Sequence, residues 1–237
     1  MNMLPAFDAV LFDLDGVLIH SEPVSERALQ AAARRFGFEV PDDAMPMFTG
    51  LPGHVVYAMV VERFAGAATR ADADADAGSA TDAGSKVDAV ILRTLSDEIY
   101  ESWLPDVPEM PGAGNLVRAL AAARKRLALV TSSRRRQAET ALAVHGLRAH
   151  FAQVIGAEDV ERTKPDPEPY LAAARALGVD PARCVAIEDS LAGCRSGAAA
   201  GCHVVGYLSS FPPDQLRDAG ARLVLASHDE IRRHLLG

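Results

Sequence analysis

Short apolar runs recur along this chain at a spacing that leaves room for one helix between neighbours. They fall at residues 7–14, 127–131, 151–155, 184–187 and 202–206, with a weaker one at 221–225. Between them lie Ala-rich segments of helical periodicity, at 113–124, 135–145, 168–177 and 191–200. Gly146, Gly178 and Gly201 close three of these segments, where a helix ends most easily on a left-handed residue. Buried strand alternating with helix predicts an α/β fold, a doubly wound parallel sheet with helices on both faces.

One stretch breaks this rhythm. Residues 22–102 carry helical patterns, at 24–36, 54–64 and 87–103, and no convincing strand. The reading therefore places a helical domain at 20–105, inserted into an α/β core formed by 1–19 and 106–237. Pro105, Pro108 and Pro111-Gly112 mark the return to that core. Within the insert, residues 71–85 read ADADADAGSATDAGS, a low-complexity segment expected to be a solvated loop without chemistry. Its alternating acids do not make a calcium loop, which needs Gly at its sharp turn and a closing Glu.

Composition narrows the function classes. Hydrophobic residues reach 49% but aromatics only 5%, so the core must be built from Ala, Val and Leu. The formal charge of −8 opposes non-specific attachment to nucleic acid or to anionic lipid. No apolar run approaches the roughly 20 residues of a membrane helix. Residues 1–10 lack the basic and long apolar segments of an export signal, and three cysteines without metal-ligand spacing read as reduced thiols. The expected setting is the cytoplasm, and no unpaired apolar face stands out to set an oligomeric state.

Four short signatures stand out, three of them directly after an apolar run. Asp13-Leu14-Asp15-Gly16 puts two carboxylates at a strand tip, the end of an open α/β sheet where ligands bind. One acid there can attack while the other moves protons; the plainer reading is an acidic turn. Thr131-Ser132-Ser133 offers a hydroxyl and main-chain amides suited to phosphate oxygens, or simply a cap for the next helix. In Thr163-Lys164-Pro165-Asp166-Pro167, a lysine held by prolines can neutralise phosphate and an attacking carboxylate together, or can merely face solvent. Glu188-Asp189-Ser190 presents hard anionic ligands matched to Mg²⁺, unless Asp189 only caps a helix.

The joint appearance of the four, in this order, resembles the haloacid dehalogenase (HAD) superfamily. The likeness covers 7–206 and is nearest to the subfamily IA phosphatases and β-phosphoglucomutase-like members with a helical cap. That resemblance implies a strand order in the 3-2-1-4-5 style and Mg²⁺ as cofactor. It implies Asp13 as the nucleophile that becomes an aspartyl-phosphate, and Asp15 as general acid and then general base. Thr131 and the Ser132 amide would bind the phosphoryl group, and Lys164 would pair with Asp13 and phosphate. Asp13, Asp189, the Asp15 main-chain carbonyl and Glu188, directly or through water, would hold the metal. The segments 16–21 and 107–112 would be hinges for a closing cap. The expected activity is hydrolysis of a small phosphorylated metabolite, a sugar phosphate above others; the alternative is a sugar phosphomutase, and a more distant one is a non-catalytic binding protein.

Departures from the family pattern bear on substrate. Many relatives carry Asp-Ser-Glu where this chain has His20-Ser21-Glu22, and Glu22 either contacts substrate hydroxyls or opens the first insert helix at its acidic end. The loop Gly50-Leu51-Pro52-Gly53-His54 lacks the Lys or Arg that relatives handling two-phosphate intermediates often carry. A second phosphate has no obvious clamp unless His54 or Arg27 serves, which tilts the reading from mutase to phosphatase. Gly50 and His54 remain candidate substrate contacts there. Asp15 argues against dehalogenation, and Lys86, the only lysine of the insert, sits too close to the low-complexity loop to serve as a Schiff-base lysine.

Overall fold

The structure is a computed structural model and describes residues 6–48, 51, 53–65 and 87–237. The chain divides into two compact units, one formed by Met1–Ser21 with Leu104–Gly237 and the other by Glu22–Trp103.

The first unit is built on a six-stranded sheet, all of whose neighbouring strands run parallel. Its strands are β1 (Ala9–Phe12), β2 (Arg126–Val130), β3 (Gln153–Ile155), β4 (Cys184–Glu188), β5 (His203–Tyr207) and β6 (Leu223–Leu225). Their spatial order is β3-β2-β1-β4-β5-β6, the order the family resemblance implies with one strand added. β1 and β4 are buried along their whole length, as strands covered on both faces must be. Each large apolar side chain so buried contributes about 1.5–3 kcal/mol. The sequence runs are longer than the strands. After Phe12 the backbone leaves the ladder, since the amides of Val17, Leu18 and Ile19 all turn back to the Leu14 carbonyl.

The second strand is reached only after the helical unit, yet the chain's exit and return are tied together. The His20 amide donates to the Pro108 carbonyl and the Met110 amide to the Leu18 carbonyl. Helices of this unit are α4 (Ala113–Ala122), α5 (Arg135–Val144), α6 (Glu168–Leu177), α7 (Leu191–Ala199), α8 (Pro213–Asp218) and α9 (His228–Leu236). Gly178 ends α6 in the left-handed conformation, as its position in the sequence predicts. Cys184, Cys194 and Cys202 are free and buried.

The second unit contains α1 (Glu22–Arg35), α2 (Gly53–Val60) and α3 (Ala89–Trp103), with a 3₁₀ segment at Asp42–Phe48 and a π turn at Val61–Ala65. Leu29, Phe38, Met45, Phe48, Val60 and Leu92 form its core. Two buried polar groups are satisfied inside it. Gln30 donates to the Val40 carbonyl (3.0 Å) and to Asp42 (2.7 Å), and the Tyr57 hydroxyl donates to Ser96 (2.9 Å). The Arg27 guanidinium lies 5.5 Å from the centre of the Trp103 ring. The 71–85 segment lies outside the described residues.

Candidate active site

β1 sits between β2 and β4, with Phe12 opposite both Leu129 and Ile187. The connections run from β1 outward through β2 to β3 and then return to β4 on the other side, so the carboxyl end of β1 is a switch point of the sheet. Asp13 follows Phe12 directly and extends the ladder by one bond, its amide donating to the Ile187 carbonyl at 3.0 Å. Thr131 does the same beyond β2, its amide on the Ile155 carbonyl at 3.0 Å. Glu188 and Asp189 stand at the tip of β4.

The side chains converge there. Lys164 Nζ donates to Asp13 Oδ1 (2.6 Å), Glu188 Oε1 (2.6 Å) and the Val130 carbonyl (2.8 Å). An ammonium has three N–H bonds, so each of its protons has an acceptor. Glu188 is wholly buried; its Oε1 also accepts from the Tyr170 hydroxyl (2.6 Å) and its Oε2 from Ser190 (3.1 Å). Asp189 Oδ2 accepts from both Ser209 (2.8 Å) and Ser210 (2.6 Å).

Asp15 is held on both oxygens, by Ser21 Oγ on Oδ1 (2.6 Å) and by Ser133 Oγ on Oδ2 (2.7 Å). Thr131 is buried, and its hydroxyl accepts from the Ser133 amide at 3.0 Å. Ser132 is exposed. Glu22 is an exposed residue in the first turn of α1 in the other unit. Gly50 and the side chain of His54 lie outside the described residues.

Two glycines make room for the acids. Gly16 has φ 74°, and a Cβ there would lie 2.1 Å from Asp189 Oδ2. A Cβ on Gly193, in the first turn of α7, would lie 1.9–2.0 Å from the Glu188 carboxylate atoms. The backbone at both points fits against a carboxylate as only glycine allows.

Electrostatics show what such a cluster demands. Burial pushes the Asp13 carboxyl well above the ordinary aspartate range, Glu188, Asp189 and Asp15 push it the same way, and Lys164 opposes them. Burial also works against the Lys164 charge, but Asp13 and Glu188 outweigh it and hold the ammonium above the ordinary lysine range. Oxygens of Asp13, Glu188 and Asp189 lie within 4.8 Å of one another. Three buried carboxylates against one ammonium leave two negative charges, which one divalent cation would cancel. An all-carboxylate donor set matches a hard cation, so the residues present fit a divalent metal ion.

The motifs assign no role to the hydroxyls of Ser21 and Ser133, and they do not include Ser209, Ser210 or Tyr170 at all. Ser133 lies within the second signature and Ser21 a few residues beyond the first, so both could have been drawn from them. Ser209-Ser210 follows an apolar run like the other tips, and that position is their signal.

Comparison with known proteins agrees with this geometry. A family model described as haloacid dehalogenase-like hydrolase matches residues 7–201. A validoxylamine A 7'-phosphate phosphatase of Streptomyces hygroscopicus subsp. limoneus is 33% identical over 220 residues, 92% of this chain and 93% of that protein. Hexitol phosphatase A of Escherichia coli is 34% identical, over 93% of this chain and 91% of its own. Among solved structures, a HAD family hydrolase from Deinococcus radiodurans with bound phosphate and sodium superposes with a TM-score of 0.72. It is 30% identical, and the match covers 97% of this chain and 95% of that one. From its strand order to the acids at its strand tips, this chain belongs to the haloacid dehalogenase-like hydrolase family.

Proposed function

We propose that the protein is a phosphatase that hydrolyses a small phosphate monoester, a sugar or polyol phosphate, by way of an aspartyl-phosphate on Asp13. The observation that carries this reading is the bridge of Lys164 between Asp13 and Glu188 beside the Asp189 carboxylate. Polyol- and carbohydrate-like phosphates are favoured because the names of two relatives, hexitol phosphatase A and validoxylamine A 7'-phosphate phosphatase, specify such substrates.

A phosphate ester brings two negative charges toward an ionised Asp13, and that repulsion must be cancelled before in-line attack. Asp13 and Asp189, with the Asp15 main-chain carbonyl, would hold Mg²⁺, and Glu188 completes the acidic group around it. When bound, the cation supplies charge neutralisation and orientation of the phosphoryl oxygens. Lys164 neutralises the same region from the β2 side, and to reach a phosphoryl oxygen it must release one of its three acceptors. An Asp13 oxygen attacks phosphorus as the ester P–O bond breaks. Asp15 gives its proton to the leaving oxygen, then takes one from the water that attacks phosphorus and frees Asp13. Ser21 and Ser133 hold the Asp15 carboxyl on both oxygens, and Thr131 with the Ser132 amide faces the transferring group. The helical unit carries substrate selectivity, with Glu22, Gly50 and His54 as its candidate contacts.

The test is release of inorganic phosphate from a panel of hexitol, sugar and glycerol phosphates, with Mg²⁺ and after chelation. Hydrolysis lost on chelation and restored by Mg²⁺ is expected. Conversion of β-glucose 1-phosphate mainly to glucose 6-phosphate would replace the phosphatase reading with a mutase, and inactivity on the whole panel would overturn both.

A further inference from the structure

Tyr170 does not belong to any of the four signatures, yet it reaches the centre of the site. It lies in the first turn of α6, six residues after Lys164, so the lysine and the phenol are carried by one continuous segment. The Ser196 hydroxyl of α7 donates to the Asp166 carbonyl and pins that segment to the neighbouring helix. Tyr170 is completely buried among Leu11, Ala128, Ala173 and Ala186 of the sheet's core. Its ring centre lies 5.5 Å from Lys164 Nζ, and its hydroxyl donates to Glu188 Oε1 at 2.6 Å. A phenol is retained in an apolar core only when its O–H has a partner, and here that partner is the oxygen that also receives Lys164.

The engagement of Glu188 decides what this contact does. Oε1 accepts two bonds of 2.6 Å, Oε2 accepts from Ser190, and the Gly193 backbone closes against the carboxylate. A carboxylate gripped on both oxygens by protein donors is a fixed acceptor. Its nearest charge is the ammonium that also bonds Asp13.

We propose that Tyr170 is a positioning residue: its hydroxyl fixes Glu188 as the acceptor that aims Lys164 at Asp13, and Glu188 acts on the reaction through that lysine. The inference rests on the phosphatase reading. Without the hydroxyl, Glu188 Oε1 is held by the lysine alone, and lysine and carboxylate can move together away from Asp13. Displacements of this kind cost rate while leaving substrate binding nearly intact.

The experiment uses the full-length protein, p-nitrophenyl phosphate turnover with Mg²⁺, and Mn²⁺ binding by titration calorimetry. Tyr170→Phe keeps the ring and removes the donor. Its kcat is expected to fall about tenfold, with KM and the Mn²⁺ Kd within about twofold of wild type. On a Glu188→Gln background the same change is expected to alter kcat by less than about twofold, since the group it acts through is already impaired. The proposal is overturned by a Tyr170→Phe protein that turns over like wild type. It is overturned equally by a rate loss matched in Mn²⁺ affinity, or by a rate loss of the same size on the Glu188→Gln background. Should Tyr170→Phe fail to fold, Glu188→Gln alone decides: Mn²⁺ binding weakened less than about tenfold supports action through the lysine, and a larger loss makes Glu188 a direct ligand. A wild-type protein inactive on every phosphate ester would instead remove the phosphatase reading itself.

Discussion

Lys164 Nζ lies 2.6 Å from Asp13 Oδ1, a bond between residues 151 positions apart in the chain. Both side chains are nearly inaccessible to water, so neither charge is solvated in the folded state except by its partners. Taking the lysine away leaves Asp13 and Glu188 buried side by side without compensation. Lys164→Met is expected to destabilise the protein by about 3 kcal/mol and to lower kcat by at least a hundredfold. Urea unfolding and p-nitrophenyl phosphate turnover measure the two effects, and an unchanged unfolding midpoint would contradict the geometry.

Gly193 sets helix propensity against packing. Alanine is favoured over glycine inside a helix by about 1 kcal/mol. At this position, however, the added methyl would collide with the Glu188 carboxylate. Gly193→Ala is expected to lose roughly 2 kcal/mol net and most of its activity. A thermal melt above that of wild type would show that the carboxylate can move aside.

Ser209 and Ser210 both donate to the same oxygen of Asp189. Donors that orient a metal-binding carboxylate commonly contribute about ten- to a hundredfold in affinity. The double change Ser209→Ala with Ser210→Ala is expected to weaken Mn²⁺ binding at least about tenfold, read by calorimetry. Unaltered affinity would mean that Asp189 is oriented without them.

His228 gives stability a predictable pH dependence. Nδ1 donates to the Pro111 carbonyl at 3.0 Å, and the ring is buried. Burial lowers the imidazole pKa and outweighs the Pro111 and Val17 backbone and the charges of Glu109 and Asp229, which act the other way. The unfolded chain binds a proton near the ordinary value of 6.5 and the folded chain only at lower pH. The unfolded state thus holds more protons below that value, and stability falls as pH drops through about 6.5. Between pH 7.5 and 5.5, wild type is expected to lose more stability than His228→Gln; equal losses would contradict it.

The sheet and the signatures were legible because hydrophobic periodicity and a glycine at several helix ends are local signals. Asp13 and Asp189 were legible because each stands beside a strand tip, and Lys164 because two prolines hold it just ahead of a helix. The hydroxyls were not. Ser209 and Ser210 reach Asp189 only because β5 lies next to β4, a pairing no short stretch of sequence encodes. Tyr170 reads as one more apolar position of α6, since its helical spacing is that of a core residue. The helix α9 had a signal that motif reading passes over: the Ser227 hydroxyl accepts from the Glu230 amide, and Glu230 in turn accepts from the Ala226 amide.

The account turns on Asp13 as the atom donor that meets phosphorus. The most direct measurement compares phosphate release by wild type and Asp13→Asn with saturating Mg²⁺, on samples matched by circular dichroism. The account predicts loss of at least a thousandfold in kcat for Asp13→Asn with the fold retained. Turnover within about tenfold of wild type would contradict it.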